Sequence, residues 1–180
     1  MAELSPKAAQ DVLGVFLDAY NRRHGSAYIA KEREPAADLS CDYLCEDTGR
    51  AGSPLKIQLT RAVMTVEATH GVTSDRPDRL SLPMHAVLHD AKARQRPGII
   101  YESAADCAAR AVHLKAERLG PSAADLVLVI FYDLKAYDES VDLPEMREAV
   151  LAVANGFREV WAVWAFQDAQ GRADCLWPGP

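Results

Sequence analysis

Leu126-Val127-Leu128-Val129-Ile130-Phe131-Tyr132 is an apolar run with no polar residue in it. A strand with one wet face alternates apolar and polar side chains. A continuous apolar run of strand length, rich in β-branched residues, is typical of a strand covered on both faces. Such a strand belongs in the middle of a sheet that carries helices on either side. The elements around it can be read against that requirement.

On its C-terminal side, residues 143–154 read as a helix and 159–166 as a second strong strand. A weaker strand over 173–177 follows the Gln170-Gly171 turn. On its N-terminal side, Ser103 can cap a helix that runs to Leu119 and stops at Gly120-Pro121. Residues 82–95 read as another helix, broken by Pro97-Gly98, and 69–80 as a polar loop. Nearer the N-terminus the pattern changes to neighbouring strands at 26–30, 39–46 and 55–63. The last two are separated by the turn-rich 47–54. In 55–63, Leu55, Ile57 and Leu59 share one face while Lys56, Gln58 and Thr60 share the other. In 39–46, Asp42 and Leu44 oppose Cys41, Tyr43 and Cys45. Residues 6–23 place Val12, Leu13, Phe16, Leu17, Ala19 and Tyr20 at helical spacing, and Gly25 stops the helix as a left-handed residue.

The order is α-β-β-β-(α)-α-β-α-β-β. Short early connections predict an antiparallel meander, and later helical crossovers predict parallel or mixed pairing. The expected fold class is α/β of the α+β type: a single domain over 1–180, with a mixed central sheet flanked by helices. A doubly wound dinucleotide fold would need a glycine-rich phosphate loop straight after its first strand, and none is present.

The chain has 180 residues, 49% of them hydrophobic and 26% charged, and a formal net charge of −6. That composition suits one globular domain. The negative balance offers no global attraction to phosphate, so any nucleic-acid site must be a local basic patch. No stretch approaches the roughly 18 apolar residues of a membrane helix, and the first residues do not form a signal peptide. These features and the four scattered cysteines predict a cytoplasmic protein with reduced thiols and no membrane partner. Cys41 and Cys45 have no second pair at matching spacing, which argues against structural zinc.

Three stretches, in this order, carry a family resemblance. They are Ser40-Cys41-Asp42-Tyr43-Leu44-Cys45, Ile57-Gln58-Leu59-Thr60-Arg61-Ala62, and Ala111-Val112-His113-Leu114-Lys115-Ala116-Glu117 followed by the central strand. Together they resemble the core of the PD-(D/E)xK, or restriction-endonuclease-like, nuclease superfamily. The resemblance implies a restriction-endonuclease-like core with Asp42 on the "PD" strand and Cys41 where proline often stands. It places Gln58 at the second carboxylate position and Thr60 where lysine is expected, so two of three motif positions depart from the pattern.

What the resemblance implies chemically is phosphodiester hydrolysis. Carboxylates hold magnesium or manganese, the metal polarises the phosphate and activates water, and a lysine stabilises developing charge. On this chain Asp42 and Gln58 would be the metal-binding residues. Lys115 would serve near the water as a lysine moved to the following helix, with Lys56 as a second candidate. Asp18, Asp38, Glu46 and Asp47 are further carboxylates that spacing does not single out.

Each of these residues also has a plainer reading. Asp42 can sit at a strand edge facing water, Gln58 can be a satisfied polar side chain, and Lys115 can lay its stem along the core with its charge in water. His85 and His89 stand four apart, but Ala86 follows His85 where a zincin carries glutamate, which favours a solvated face. His24 and His113 show no obvious partner. Trp161, Trp164 and Phe166 read as core rather than as a base-stacking platform. Arg22-Arg23 and Lys92, Arg94 and Arg96 read as charged helix ends.

Two functions follow. One is a metal-dependent nuclease with Asp42, Gln58 and Lys115 as catalytic residues and nucleic acid as partner. The other is a catalytically inactive domain of the same fold, used for binding or protein assembly. A homodimer through the edge of the strand at 57–63 is a further expectation.

Overall fold

A computed structural model describes residues 6–30, 41–49, 52–62, 64–68, 81–82, 99–101, 103–132, 139–153, 156–164 and 171–178. Helix α1 (Pro6–His24) leads into β1 (Tyr28–Ala30), β2 (Tyr43–Asp47) and β3 (Leu55–Arg61). Then come β4 (Met64–Ala68), β5 (Ser81–Leu82), β6 (Ile99–Tyr101) and α2 (Ala104–Leu119). A 3-10 turn (Gly120–Asp125), β7 (Leu126–Tyr132), α3 (Glu139–Val153), β8 (Glu159–Trp164) and β9 (Arg172–Trp177) complete the order.

Six strands form one mixed sheet in the order β1-β2-β3-β7-β8-β9. The pairs β1/β2 and β2/β3 are antiparallel, β3/β7 and β7/β8 are parallel, and β8/β9 is antiparallel. The early meander and the later crossovers are therefore both present, and the fold is a mixed α/β fold as the element order predicts. Every residue of β7 is buried, as a strand covered on both faces requires.

The alternation of each strand sends two sets of side chains to two cores. Leu55, Ile57, Val127, Val129, Phe131, Trp161 and Val163 meet Val12, Leu13, Phe16, Leu17 and Tyr20 of α1. On the other face, Leu126, Leu128, Ile130, Val160, Ala162 and Trp164 meet Ala108 and Val112 of α2 and Met146 and Val150 of α3. Fully burying one such side chain stabilises the fold by about 1.5–3 kcal/mol, so the two cores fix which face of β3 looks at which helix.

The ends of the helices follow from their sequences. Gly25 takes φ 59°, a left-handed conformation, immediately after α1. At α2 the Ser103 hydroxyl oxygen accepts from the Asp106 N–H at 3.0 Å, while the Asp106 carboxylate accepts from the Ser103 N–H at 3.3 Å. Two helix-end donors are thereby satisfied reciprocally. α3 begins earlier than the expected residue 143, so Pro144 lies inside the helix rather than in its first turn.

Several expectations need correction. The strand expected over 39–46 begins at Tyr43, after a bend at Cys41 and Asp42, so strict alternation does not extend to Cys41. Cys41 packs against the core beneath α2 and α3, whereas Cys45 is buried in the core beneath α1. The expected strand 55–63 ends at Arg61; the N–H of Ala62 donates to the Phe131 carbonyl at 2.8 Å, and β4 starts afresh at Met64. β4 pairs with β5 and β6 in a small antiparallel sheet that the sequence reading lacks. Leu82 lies in β5 rather than opening a helix; the rest of that expected helix, and the loop 69–80, lie outside the described residues. In β3, Leu55, Lys56 and Ile57 pair with β2, and Lys56 through Arg61 pair with β7.

Candidate functional site

The site is set by the β2/β3 ladder. Tyr43 lies opposite Ile57 and Leu44 opposite Lys56, so the same antiparallel register brings Asp42 across from Gln58. The N–H of Asp42 donates to the Ile57 carbonyl at 2.9 Å. Its carboxylate Oδ2 accepts the backbone N–H of Leu59 at 2.8 Å. The side chain thus takes the acceptor role of a backbone carbonyl where β2 leaves the ladder. Oδ2 also accepts from Nε2 of Gln58, whose side chain is only 7% exposed.

Because Leu55, Ile57 and Leu59 fill the α1 side, Lys56, Gln58 and Thr60 face the side covered by α2 and α3. There α2 contributes Lys115, on the stripe of the buried Ala108 and Val112 and the partly buried Leu119. Lys115 is half-buried. Burial pushes its ammonium below the usual lysine range, the Asp42 carboxylate opposes that shift, and the Arg118 guanidinium one turn on adds to it. Lys56 belongs to the same neighbourhood. The Cys41 thiol is pushed up by burial, drawn down by the Lys56 ammonium and pushed up by the adjoining Asp42. The fold therefore brings Asp42, Gln58 and Lys115 to one side of the sheet, with Lys56 beside them.

The remaining carboxylates go elsewhere. Asp18 is exposed on α1, on the opposite side of the sheet. Glu46 is exposed, opposite Ile29. Asp47 uses Oδ1 to accept the N–H groups of Ala27 at 3.2 Å and Gly49 at 2.9 Å, which fastens the turn after β2. Asp38 lies outside the described residues. Among the described residues, no three His, Cys, Asp or Glu side chains gather to hold a metal ion.

The direction of the Gln58 hydrogen bond decides what this arrangement can do. Two ligands of a hard cation must both turn oxygens toward it. Gln58 turns its nitrogen toward the Asp42 oxygen instead, so Oδ2 of Asp42 is engaged without a cation. In this orientation the two side chains do not turn an oxygen each toward one magnesium or manganese ion.

A second polar cluster on the α1 side was not legible from the sequence. Glu159, buried at 6% exposure, accepts from Trp161 Nε1 at 2.8 Å and pairs with His24 Nε2 at 3.2 Å. Burial, and then the Glu159 charge, push the Tyr20 hydroxyl up to about 12. His113 pairs with Glu117 at 3.3 Å on the exposed face of α2. The expectation that these two histidines lack partners is thereby corrected: one partner is 135 residues away and the other one helical turn. Trp161 and Trp164 are buried on opposite sides of the sheet, as core residues. His85, His89, Phe166, Lys92, Arg94 and Arg96 lie outside the described residues.

No protein-family model, curated protein or solved structure matches the chain. No helix among the described residues is long and apolar enough to cross a membrane.

Proposed function

We propose that this chain is a PD-(D/E)xK-like domain that has given up metal-dependent cleavage and serves in binding. The observation that carries the reading is the hydrogen bond from Gln58 Nε2 to Asp42 Oδ2. In a working centre of this type two carboxylates face one cation, and their mutual repulsion is relieved by the metal. Here the second carboxylate is an amide that donates to the first, and Thr60 replaces the lysine. The four free cysteines, three of them buried, suit a reducing cytoplasmic compartment. The proposed partner is nucleic acid or another protein, including a second copy of the chain.

The competing reading is a magnesium- or manganese-dependent phosphodiesterase. It is supported by the placement of Asp42, Gln58 and Lys115 on one side of the sheet. A cleavage assay on single-stranded DNA, double-stranded DNA and RNA, with either cation, separates the two. The binding reading expects no cleavage by the folded wild type. Cleavage that disappears in Asp42→Ala would instead establish the nuclease.

A further inference from the structure

We propose that the outer edge of β9 is a self-association surface, on which a second copy of the chain pairs antiparallel about a two-fold axis at Ala173. This edge lies at the opposite end of the sheet order from β1 and β2, so the inference stands or falls independently of the Asp42 pair.

The six-stranded sheet ends on β1 and β9. A strand at such an end turns alternate N–H and carbonyl groups outward. At β1 they are closed within the chain: the Asn21 side chain accepts from the Tyr28 N–H at 2.9 Å and donates to the Tyr28 carbonyl at 2.9 Å. At β9 the outward set is marked by Cys175, whose carbonyl accepts from Arg147 Nε of α3 at 3.2 Å. The register against β8 runs without a shift from Arg172 to Cys175, so the outward groups alternate back to Ala173. Arg172 and Asp174 then give their backbone groups to β8. Cys175 and Leu176 are only 4% and 2% exposed, whereas Arg172, Ala173 and Asp174 are partly exposed. The open stretch is therefore 172–174, and among the described residues no strand pairs with its outer side.

That stretch is complementary to itself when reversed. With Ala173 opposite Ala173 of the second copy, each alanine N–H donates to the other's carbonyl. Arg172 then falls opposite Asp174 of the second copy, and Asp174 opposite its Arg172. Opposite charges directly across a ladder attract, and like charges repel. A centre at Arg172 or Asp174 would face like charges and would call on backbone groups already bonded to β8. Within one chain Arg172 Nε meets Asp174 Oδ2 at 2.8 Å, on the face away from Ala173 and Cys175. The second copy extends this pair into a quartet of alternating charge. Two chains of net charge −6 repel overall, so the opposite-charge seam selects the register. A seam this short makes a weak, reversible dimer.

Sedimentation equilibrium of the whole chain over a range of concentrations tests the proposal, with circular dichroism to check the fold of each variant. Wild type should show a reversible monomer–dimer equilibrium that weakens as salt is raised. Ala173→Pro removes an outward N–H, which an edge strand tolerates; it should keep the fold and weaken the dimer about tenfold or more. Arg172→Asp and Asp174→Arg should each lose the dimer alone, and an equimolar mixture of the two should form a heterodimer. A charge pair that served only within one chain would not be restored by mixing. Should Asp174→Arg not fold, Ala173→Pro decides alone. Three results would overturn the inference: wild type that stays monomeric at every concentration, a dimer of unchanged affinity in Ala173→Pro, or unfolding of Ala173→Pro, which would place that N–H in the β8 ladder. Each of them leaves the reading of the Asp42 pair untouched.

Discussion

Gln58 donates its side-chain amide to the carboxylate of Asp42 across the β2/β3 ladder. In the family that the sequence resembles, this is the meeting point of two acidic ligands. One nitrogen in place of one oxygen turns a mutual repulsion that needs a cation into an attraction that does not. Expected outcomes follow from this pair and from the packing elsewhere in the fold.

Gln58→Glu restores the second carboxylate in a position only 7% exposed. Without a divalent cation the variant should lose about 1–3 kcal/mol, because a donor becomes a second acceptor facing a buried-side carboxylate. Manganese should return part of that loss. Urea denaturation with and without manganese measures both effects, and unchanged stability in Gln58→Glu would contradict the assigned direction of the hydrogen bond.

Asp42→Ala leaves the Leu59 N–H and the Gln58 amide without their acceptor. The expected cost is about 1–3 kcal/mol in urea denaturation, the usual penalty for unsatisfied groups. Asp42→Asn keeps an oxygen acceptor and should cost less. Equal losses in the two variants would mean that the carboxylate does not cap the ladder.

Much of this fold is legible in the sequence because its signals are local. The run Leu126–Tyr132 announces a doubly covered strand, Gly25 a left-handed helix end, and Ser103 with Asp106 a capped helix start. β4, β5 and β6 are two to five residues long and carry too little periodicity to be read. No turn residue stands between Arg61 and Met64 to mark the break before β4. At the site, alternation along β3 correctly groups Lys56, Gln58 and Thr60. It says nothing of which atom of Gln58 faces Asp42, nor that Asp42 stands in a bend. The Glu159 pairing with His24 spans 135 residues and leaves no local trace.

Alkaline pH should destabilise the fold through buried neutral groups. Burial pushes Cys45 up to about 12 and Cys175 to about 11, from 9.0, and Tyr20 to about 12 from 10.0. Each folded value lies above the unfolded one, so the contribution is complete below the unfolded value and is lost as pH rises through the window up to the folded one. Stability should therefore fall from about pH 9 toward pH 12. Tyr20→Phe should flatten the part of that fall above pH 10, the range where the unfolded tyrosine ionises. Urea midpoints across this range supply the check; an unchanged slope in Tyr20→Phe would contradict the assignment.

Gly171 enters β9 against α1. A Cβ there would stand 2.6 Å from Val15 Cγ2 and 3.2 Å from the Trp164 carbonyl oxygen. Gly171→Ala should cost about 1–3 kcal/mol, as overpacking does. Val15→Ala should recover part of it, since the nearest clash is with a side chain. A thermal melt of the single and double variants tests the coupling, and additive losses would contradict the contact.

The most direct test of the metal-free centre is a manganese titration followed by electron paramagnetic resonance, comparing wild type with Asp42→Asn. The account predicts the same weak, non-stoichiometric binding in both proteins, because the Asp42 carboxylate is already engaged by Gln58 and Leu59. Stoichiometric binding by wild type that vanishes in Asp42→Asn would contradict it and return the chain to the metal-dependent nucleases.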